Sequence, residues 1–490
     1  MINGAMVIDL KKIKYKELGF FRFKKLKDKY LLTNEEGRYQ FLAAKEFTNF
    51  IEGKLDKKSK PYLSLVENNF VKKEFNAELA IRQHRSRHEY LFFGPTLHVM
   101  VVTLRCNHRC VYCHASAQTI EQKNADMSKE TAAKALDVIF ETTSPFVAIE
   151  FQGGEPLANW PLVRFIVKKA RQKSKKTGKK LELRLVTNFS LMTEEKYQYL
   201  LKNKVSTCTS LDGPEAIHNQ NRPLIDNGKK ANGYERAVRW IERFQKDYAK
   251  MERKGFIWRV AGIITVSRPA LAHPKEIVDE YVRLGFGNIF LRPLDPFGFS
   301  KKAWSQFGYD SDDFIAFYKK ALDYIIEINL KGVKFEERFA KIFLMKILTD
   351  EDINMVDYRS PCGAGIGQMA YNYNGDVYTC DEGRMLSMMD DESFKLGNVH
   401  KNTYRELIDS PVIKTVCLAS CLAGAAGCSD CAYQPYCGTC PIFNYVDQGN
   451  IFGQMATNER CKISKAILDY LFEKMSDDKI KAVFENWVKR

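Results

Sequence analysis

The pattern of apolar and polar positions changes near residue 97. Beyond it, apolar runs of strand length alternate with stretches whose apolar residues recur every three or four positions. The runs lie at 97–104, 146–152, 181–187, 205–211, 258–266 and 288–294, and the helical stretches at 129–142, 162–173, 194–202, 234–254 and 274–284. Strands this apolar are typical of a parallel sheet covered by helices. Six such units predict an α/β fold, a partial (β/α)6 barrel with its site at the C-terminal strand ends.

The rest of the chain divides into smaller units. In the first of them, a hairpin is expected over 29–42 and short helices over 43–53 and 62–71. A single helix is expected near the C-terminus, over about 462–489. The predicted units are 1–92, the barrel at 93–300, a helical bridge at 301–354, a Cys-rich domain at 355–465 and a C-terminal helix at 466–490.

Composition narrows the class of protein. The 490 residues contain no apolar run long enough to span a membrane and no signal peptide, so a cytoplasmic protein is expected. The formal net charge is +16, with basic residues crowded into the first 75 positions and 168–180. The Lys runs lack the interleaved aromatic residues of a single-strand binding groove, which favours solvated helices over nucleic-acid binding. The positive charge is also compatible with a polyanionic or acidic peptide partner.

Thirteen cysteines at tight spacing in a cytosolic protein indicate metal binding rather than disulfides. Cys106, Cys110 and Cys113 directly follow the first barrel strand. Three thiolates on one loop can hold three irons of a [4Fe–4S] cluster and leave the fourth iron open. A closed zinc site would need a fourth ligand, for which only His108 and His114 are near. Cys208 lies alone within an apolar strand and is expected in the core.

These motifs resemble the radical S-adenosylmethionine (SAM) superfamily. The likeness rests on the three cysteines, on the GGEP segment at 153–156, and on the strand ends TN at 187–188 and SLDG at 210–213. It implies that SAM is bound by Gly153, Gly154, Glu155, Asn188 and Ser210, that Tyr112 packs near the adenine, and that Arg222 contacts the SAM carboxylate. The alternatives are core packing for Tyr112 and a surface loop for Arg222.

The C-terminal cysteines resemble the SPASM domain, which binds auxiliary clusters in radical SAM enzymes that mature peptides and proteins. The resemblance implies two auxiliary [4Fe–4S] clusters, and so three clusters in all. The first would be held by Cys362, Cys380 and Cys440, and the second by Cys428, Cys431, Cys437 and Cys461. Val356 and Asp357 stand where some relatives have another cysteine. Cys421 is the preferred fourth ligand of the first cluster, with Cys417 or an open iron as alternatives; paired zinc ribbons are the other interpretation of the whole pattern.

A narrower resemblance is to the His-Xaa-Ser system maturases. It rests on FFRFKKLKDKYLLTNEEGRYQFL near the start, on TLRCNHRCVYCHAS and on CAYQPYCGTCP. The front unit resembles winged-helix elements that add a leader peptide to a sheet edge. The implied partners are a precursor peptide with a leader, an external electron donor and a second, paired radical SAM maturase. In sulfatase-maturing relatives an Asp in the place of Asp381 acts as base; the alternative is a solvated loop acid.

Together, the resemblances imply hydrogen abstraction from a precursor peptide followed by an oxidative crosslink. One alternative is a sulfatase-type maturase that makes formylglycine. The other is a non-catalytic zinc protein that binds nucleic acid.

Overall fold

The computed structural model describes residues 10–252, 259–351, 353 and 355–489. Its N-terminal unit is a three-stranded antiparallel sheet followed by three helices. These are β1 (Arg22–Leu26), β2 (Lys29–Thr33), β3 (Tyr39–Ala43), α1 (Ala44–Ile51), α2 (Lys60–Glu67) and α3 (Ala77–Arg87), with the strands in the order β1-β2-β3. Tyr30 stacks on Phe47 of α1 with ring centroids 4.4 Å apart, in the core between sheet and helices. The predicted hairpin is confirmed.

Six parallel strands then form the partial barrel. They are β4 (Leu97–Thr103), β5 (Phe146–Gly153), β6 (Lys180–Thr187), β7 (Val205–Ser210), β10 (Ala261–Thr265) and β12 (Leu291–Arg292). Outside this sheet, β8 (Leu224–Asp226) and β9 (Lys229–Ala231) form a hairpin, and a short β11 (Asn288–Ile289) precedes β12. The barrel order is β4-β5-β6-β7-β10-β12, and every pair is parallel. All six predicted barrel strands are confirmed, although residue 258 lies outside the described residues.

The barrel helices follow their strands as predicted. They are α4 (Lys129–Phe140), α5 (Trp160–Thr177), α6 (Glu194–Lys202), α7 (Glu215–Asn221), α8 (Gly233–Glu252) and α9 (Pro274–Arg283). The predicted end of α8, at 253–254, lies outside the described residues. Ser128 and Thr193 cap the first turns of α4 and α6 by accepting backbone hydrogen bonds, which fixes where these helices begin. The apolar faces of the helices pack on the outside of the sheet.

The strands of the barrel differ in how their inner faces are buried: β4 is buried on both faces, whereas β7 is buried on one face only. Along β7, Val205, Thr207 and Thr209 are buried toward the helices, while the alternate residues Ser206, Cys208 and Ser210 are only partly buried. Strand residues point alternately to the two faces, so these alternate residues line the lumen. The prediction of Cys208 as a core residue is therefore wrong, because its strand position directs the thiol into the lumen.

The chain then crosses a helical region and returns to the same sheet. This part contains α10 (Phe299–Lys302), α11 (Trp304–Phe307), α12 (Ser311–Leu330), β13 (Glu336–Glu337), α13 (Arg338–Leu348), β14 (Gln368–Tyr371), β15 (Asp376–Tyr378), α14 (Asp381–Ser387), β16 (Lys395–Asn398), α15 (Tyr404–Ile408), α16 (Pro411–Ser420) and α17 (Pro441–Gln448). β14 pairs in parallel with β4, and β15 and β16 follow antiparallel. The Cys-rich domain thus continues the barrel sheet.

Two helices end the chain where one was predicted. They are α18 (Glu459–Lys474) and α19 (Asp478–Val488). Asp477 accepts hydrogen bonds from the backbone N–H groups of Lys479 and Ile480, so it caps a new helix rather than continuing the first. Within the described residues, no helix is both long and apolar enough to cross a membrane.

The N-terminal sheet lies against the loop 428–437 of the Cys-rich domain. Thr33 Oγ1 donates a hydrogen bond to the carbonyl of Ala432 at 2.7 Å, and Arg22 Nε donates to the carbonyl of Ser429. Aromatic rings from both sides complete the contact, namely Tyr39, Phe41, Tyr433, Tyr436 and Phe472. The unit is therefore packed onto a cysteine loop instead of standing apart as a separate module.

Candidate active site

The three cysteines of the first motif share the loop that follows β4. Cys106 N donates to the carbonyl of Gln118 at 2.9 Å, which closes the loop on itself. Backbone N–H groups point at two of the sulfurs, with His108 N 3.3 Å from Cys106 Sγ and Ala117 N 3.4 Å from Cys113 Sγ. Such contacts orient metal-bound thiolates and stabilise their charge.

The environment of the loop makes Cys106 and Cys110 hard to ionise. Burial raises the pKa of Cys106 well above its usual value, and the nearby thiols of Cys110 and Cys113 raise it further. Burial raises the pKa of Cys110 to about 12, against the opposing effect of Arg222. Thiols this hard to ionise become thiolates when a bound metal compensates their charge. The donor set therefore fits a [4Fe–4S] cluster with one iron left open to SAM.

A single metal ion fits these cysteines less well. Among the residues that the structure describes, no three His, Cys, Asp or Glu side chains are placed to share one ion. The ligands of a single zinc ion converge at about 2.3 Å from it. The thiolates of a [4Fe–4S] cluster each bind a different iron, so they need no common point.

Gly153 and Gly154 end β5 where the chain passes the cluster loop. Gly153 has φ of +132°, and a Cβ atom there would lie 2.0 Å from the carbonyl oxygen of Thr103. A Cβ atom on Gly154 would lie 2.4 Å from the carbonyl oxygen of Arg105. The glycines thus allow β5 to approach the backbone of the cluster loop. Their contact with SAM stays a prediction.

Glu155 connects this segment to the end of the next strand. Its carboxylate, 1% exposed, accepts hydrogen bonds from Thr187 Oγ1 at 2.7 Å, Asn188 N at 2.8 Å and Leu157 N at 3.0 Å. Burial raises the pKa of Glu155, and the hydrogen bonds from Asn188 and Thr187 oppose that rise. These three hydrogen bonds hold Thr187 and Asn188 beside the GGEP segment, and contact of Glu155 with SAM stays a prediction.

Asn188 carries the connection on to the cluster loop. Its Nδ2 atom lies 3.8 Å from Cys106 Sγ and 3.4 Å from Asn107 Oδ1, and its Oδ1 accepts from Ser190 N at 2.8 Å. The structure therefore brings the predicted residues of β5 and β6 together with the first cysteine.

Tyr112 and Arg222 meet in a polar network beside Cys110. The Tyr112 hydroxyl donates to Asp212 Oδ2 at 2.5 Å and accepts from Arg222 Nη1 at 2.7 Å. Asp212 Oδ1 and Arg222 Nε are enclosed and have no hydrogen-bond partner among the described residues. Tyr112 is buried, which is compatible both with core packing and with its predicted role, whereas the surface-loop alternative for Arg222 is wrong because its guanidinium joins this enclosed network. Unsatisfied buried polar atoms fit a site that awaits a polar ligand such as SAM.

The lumen below these segments holds opposite charges. Arg184, Arg292 and Arg338 surround Cys208 and Glu150 closely enough to affect their ionisation. Burial raises the pKa of Glu150, and Arg184 and Arg338 oppose that rise. Burial raises the pKa of Cys208 to about 12. A polar lumen of this kind suits a hydrogen-bonding substrate better than an apolar one.

The predicted ligands of the first auxiliary cluster come together. Cys362, Cys380 and Cys440 are each at most 5% exposed and belong to one buried group with Phe297 and Phe443. Burial raises the pKa of all three thiols, and the neighbouring thiols add to the rise for Cys362 and Cys380.

The preferred fourth ligand is not part of this group. Cys421 follows α16 and lines a separate pocket with Tyr90, Arg359 and Cys437. Cys417 lies near Cys421 instead of near the buried thiols. Cys421 as the fourth ligand of the first auxiliary cluster thus stays a prediction. The placement of its side chain does not favour it.

Asp381 lies between this group and the barrel. Its carboxylate is among the charges that affect His114, just after the cluster loop, and Glu150 in the lumen. Arg384 Nε donates to Asp381 Oδ1 at 2.9 Å. Arg384 is fully buried, and its Nη1 has no hydrogen-bond partner in the described part of the chain. The alternative of a solvated loop acid is wrong because Asp381 is 8% exposed and ion-paired.

The four predicted ligands of the second auxiliary cluster line one cavity. They are Cys428, Cys431, Cys437 and Cys461. Lys465 also lines the cavity, and its ammonium group opposes the rise that burial causes in the pKa of Cys428 and Cys461. Cys440, a predicted ligand of the first auxiliary cluster, also lines this cavity. The four predicted ligands are enough for a fully ligated [4Fe–4S] cluster.

Sequence reasoning missed several residues of the site. Asp212 stands inside the SLDG segment and Arg384 one helical turn after Asp381, so each had a local signal. Arg292 and Arg338 had no local sequence signal, because they reach the lumen from two different elements, β12 and α13.

Comparison with known proteins agrees with this geometry. The model of the radical SAM superfamily matches residues 100–258, and the model of the SPASM iron–sulfur cluster-binding domain matches residues 362–441. The chain is 24% identical over 315 residues to a cysteine-type anaerobic sulfatase-maturating enzyme of Clostridium perfringens, covering 62% of this chain and 77% of that protein.

Two solved structures share the fold. The sulfatase-maturating enzyme anSMEcpe, with bound AdoMet and Cp18Cys peptide, has a TM-score of 0.64 at 21% identity and covers 80% of this chain and 100% of its own. Streptococcus suis SuiB, bound to precursor peptide SuiA, has a TM-score of 0.51 at 15% identity and covers 88% of this chain and 97% of its own.

Fold, cysteine groups and family matches define a class: a radical SAM domain at residues 100–258 followed by a SPASM iron–sulfur cluster-binding domain at residues 362–441. Enzymes of this class use SAM and iron–sulfur clusters. The chain's relatives include a sulfatase-maturating enzyme and a radical SAM cyclopropyl synthase.

Proposed function

We propose that this enzyme modifies a ribosomally made precursor peptide by hydrogen abstraction and oxidative crosslinking, using three [4Fe–4S] clusters. The observation that carries the proposal is the polar lumen, which has Asp381 on one side and the predicted SAM-binding residues on the other. The similarity to enzymes described with bound peptides supports a peptide substrate.

The residues of the chain have distinct roles in this proposal. When bound, the reduced cluster and SAM supply the 5′-deoxyadenosyl radical that removes one hydrogen atom from the peptide. Glu155 and Asn188 hold the SAM-binding segments, and Tyr112 and Arg222 offer polar atoms to SAM. Asp381 takes up the proton released in the second half of the oxidation, and Arg384 holds its carboxylate in place. The accompanying electron would leave through the clusters held by the C-terminal cysteines and pass from them to an external one-electron acceptor.

The N-terminal unit is the proposed site for the leader. β1 and β3 each pair only with β2 among the described strands, so both present an edge. A groove beside α3 is lined by Phe75, Ile81 and Phe92, which are 47%, 69% and 64% exposed. Apolar side chains this exposed around a groove indicate a peptide contact. The contact of this unit with loop 428–437 also gives it a structural role, so deleting it would not test binding alone.

The test is a reaction with a candidate precursor peptide, sought among the genes that neighbour the one for this chain. Protein reconstituted anaerobically with iron and sulfide is given SAM, dithionite and that peptide, and the product is examined by mass spectrometry. Loss of two hydrogens with sulfur retained is expected. Asp381→Asn should still form deoxyadenosine but much less crosslinked peptide, because its amide cannot take up the proton.

The second candidate is formylglycine formation, favoured by the similarity to the sulfatase-maturating enzyme and by Asp381 directly after Cys380. A peptide that carries the cysteine of a sulfatase motif serves as the control substrate. Loss of sulfur from that peptide, with no change in the precursor, would replace the crosslinking proposal. A colourless protein containing zinc in place of iron would refute both the crosslinking and the formylglycine proposals.

A further inference from the structure

Arg460 occupies the junction of the three cysteine groups. In the chain it directly precedes Cys461, a predicted ligand of the second auxiliary cluster. Its guanidinium carbon lies 4.3 Å from the ring centroid of Phe443. Phe443 belongs to the buried group that contains Cys362, Cys380 and Cys440. One side chain therefore borders both auxiliary groups.

Two ion pairs fix the guanidinium there. Arg460 Nη2 lies 2.9 Å and Nε 3.3 Å from the two carboxylate oxygens of Asp295, and Nη1 lies 3.2 Å from Asp357 Oδ2. The backbone carbonyl of Asp295 is in turn 3.1 Å from Nε2 of His114, the residue after Cys113. The contacts of Arg460 thus extend to the first cluster loop as well.

The charge of Arg460 is only weakly screened by solvent. Its side chain is 17% exposed, and those of Asp295 and Asp357 are 9% and 15% exposed. Arg460 and Asp357 line the same cavity as Cys440 and Cys461. The backbone N–H of Phe443, whose ring lies under the guanidinium, is 3.4 Å from Cys440 Sγ. A buried cation near an iron–sulfur cluster stabilises the reduced state, which carries one more negative charge, and a buried carboxylate does the opposite.

We propose that Arg460 is a positioning residue that raises the reduction potential of the cluster at Cys362, Cys380 and Cys440. This inference rests on the proposed cluster assignment. The functional consequence is that this cluster takes up the single electron released when the peptide is oxidised, while the proton goes to Asp381. A one-electron acceptor in solution then restores the oxidised state. Asp357 acts against Arg460, so the potential reflects the balance of the two charges.

The experiment compares two neutral variants that should act in opposite directions. The background is the Cys106→Ala, Cys110→Ala, Cys113→Ala protein, in which only the auxiliary iron remains. Each variant is reconstituted, titrated with dithionite in the presence of redox mediators, and followed by electron paramagnetic resonance. Arg460→Gln should shift one midpoint potential to more negative values, and Asp357→Asn should shift the same signal to more positive values. Arg460→Lys should keep most of the wild-type potential.

The outcomes separate the inference from the proposed function. General distortion of the site would move both variants in the same direction, and that result would overturn the role of Arg460, as would unchanged potentials. If Arg460→Gln fails to assemble iron, the other two variants test the inference. It still requires a positive shift of the midpoint potential in Asp357→Asn and little change of that potential in Arg460→Lys. Absence of iron–sulfur signals from the background protein itself would instead overturn the cluster assignment.

Discussion

Replacing Glu155 with Gln tests whether a carboxylate outside the cluster loop holds the predicted SAM site together. The carboxylate accepts three hydrogen bonds, two on Oε1 from Leu157 and Thr187 and one on Oε2 from Asn188. A glutamine keeps one acceptor oxygen and turns its NH2 group toward one of these donors. The variant therefore loses at least one charge-assisted hydrogen bond and leaves a buried N–H group unsatisfied.

The size of the effect follows from these contacts. A hydrogen bond to a charged group contributes about 1.5–3 kcal/mol, and an orphaned donor costs about 1–3 kcal/mol. Part of this is offset because a neutral amide is easier to bury than a carboxylate whose pKa burial already raises. A net loss of about 2 kcal/mol, if expressed as misplacement of Asn188, lowers SAM affinity by roughly 30-fold.

The assay is a SAM binding isotherm on reconstituted protein, together with deoxyadenosine formation under dithionite. Glu182→Gln is the matched control, because Glu182 pairs with Arg184 at 2.7 Å in the lumen and has no hydrogen bond to the predicted SAM segments. The control should bind SAM like the wild type. Wild-type SAM affinity in Glu155→Gln, at full iron content, would refute the positioning role.

Two further changes test other parts of the structure. Replacing Cys106, Cys110 and Cys113 together by Ala should abolish SAM cleavage and leave the auxiliary iron in place; continued deoxyadenosine formation would show that the radical cluster is misassigned. Thr33→Val should leave the buried carbonyl of Ala432 without its partner, at a cost of about 1–3 kcal/mol, and so loosen the N-terminal unit from loop 428–437. Limited proteolysis should then release that unit faster, and air should bleach the auxiliary iron faster, than in Ser59→Ala, which alters a helix cap within the same unit. Equal rates in both variants would mean that the contact contributes little.

The barrel could be predicted from the sequence because each of its strands repeats the same local pattern. Six apolar runs, each followed by an amphipathic stretch, leave few arrangements other than parallel strands joined by helices. The three groups of cysteines could likewise be recognised from their local spacing as ligands of metal clusters. The structure brings the expected ligands of each group together, except for Cys421. For the fourth ligand of the first auxiliary cluster, the sequence contains several cysteines at similar spacing. Only the position of α16 in the structure distinguishes among these candidates.

What could not be predicted depends on contacts between distant segments. The sequence of β7 gives no sign that Cys208 faces charges, since Arg338 comes from a helix 130 positions later. Likewise, Thr33 and Ala432 are 399 positions apart, so no local pattern joins the N-terminal sheet to the cysteine loop. The two C-terminal helices were missed for a different reason, because the cap at Asp477 interrupts an otherwise helical pattern for only a few residues.

For the proposed clusters, the pairing of β14 with β4 has a consequence for the rate of electron transfer between them. Tunnelling slows steeply with every ångström of separation, so exchange between two mobile domains would vary with their motion. Cys106 lies three residues after the end of β4, and Cys380 lies two residues after the end of β15. Backbone hydrogen bonds join these strands through β14. The distance between the two cysteine groups is therefore held as constant as the spacing within one sheet, and transfer between them need not wait for a domain to close.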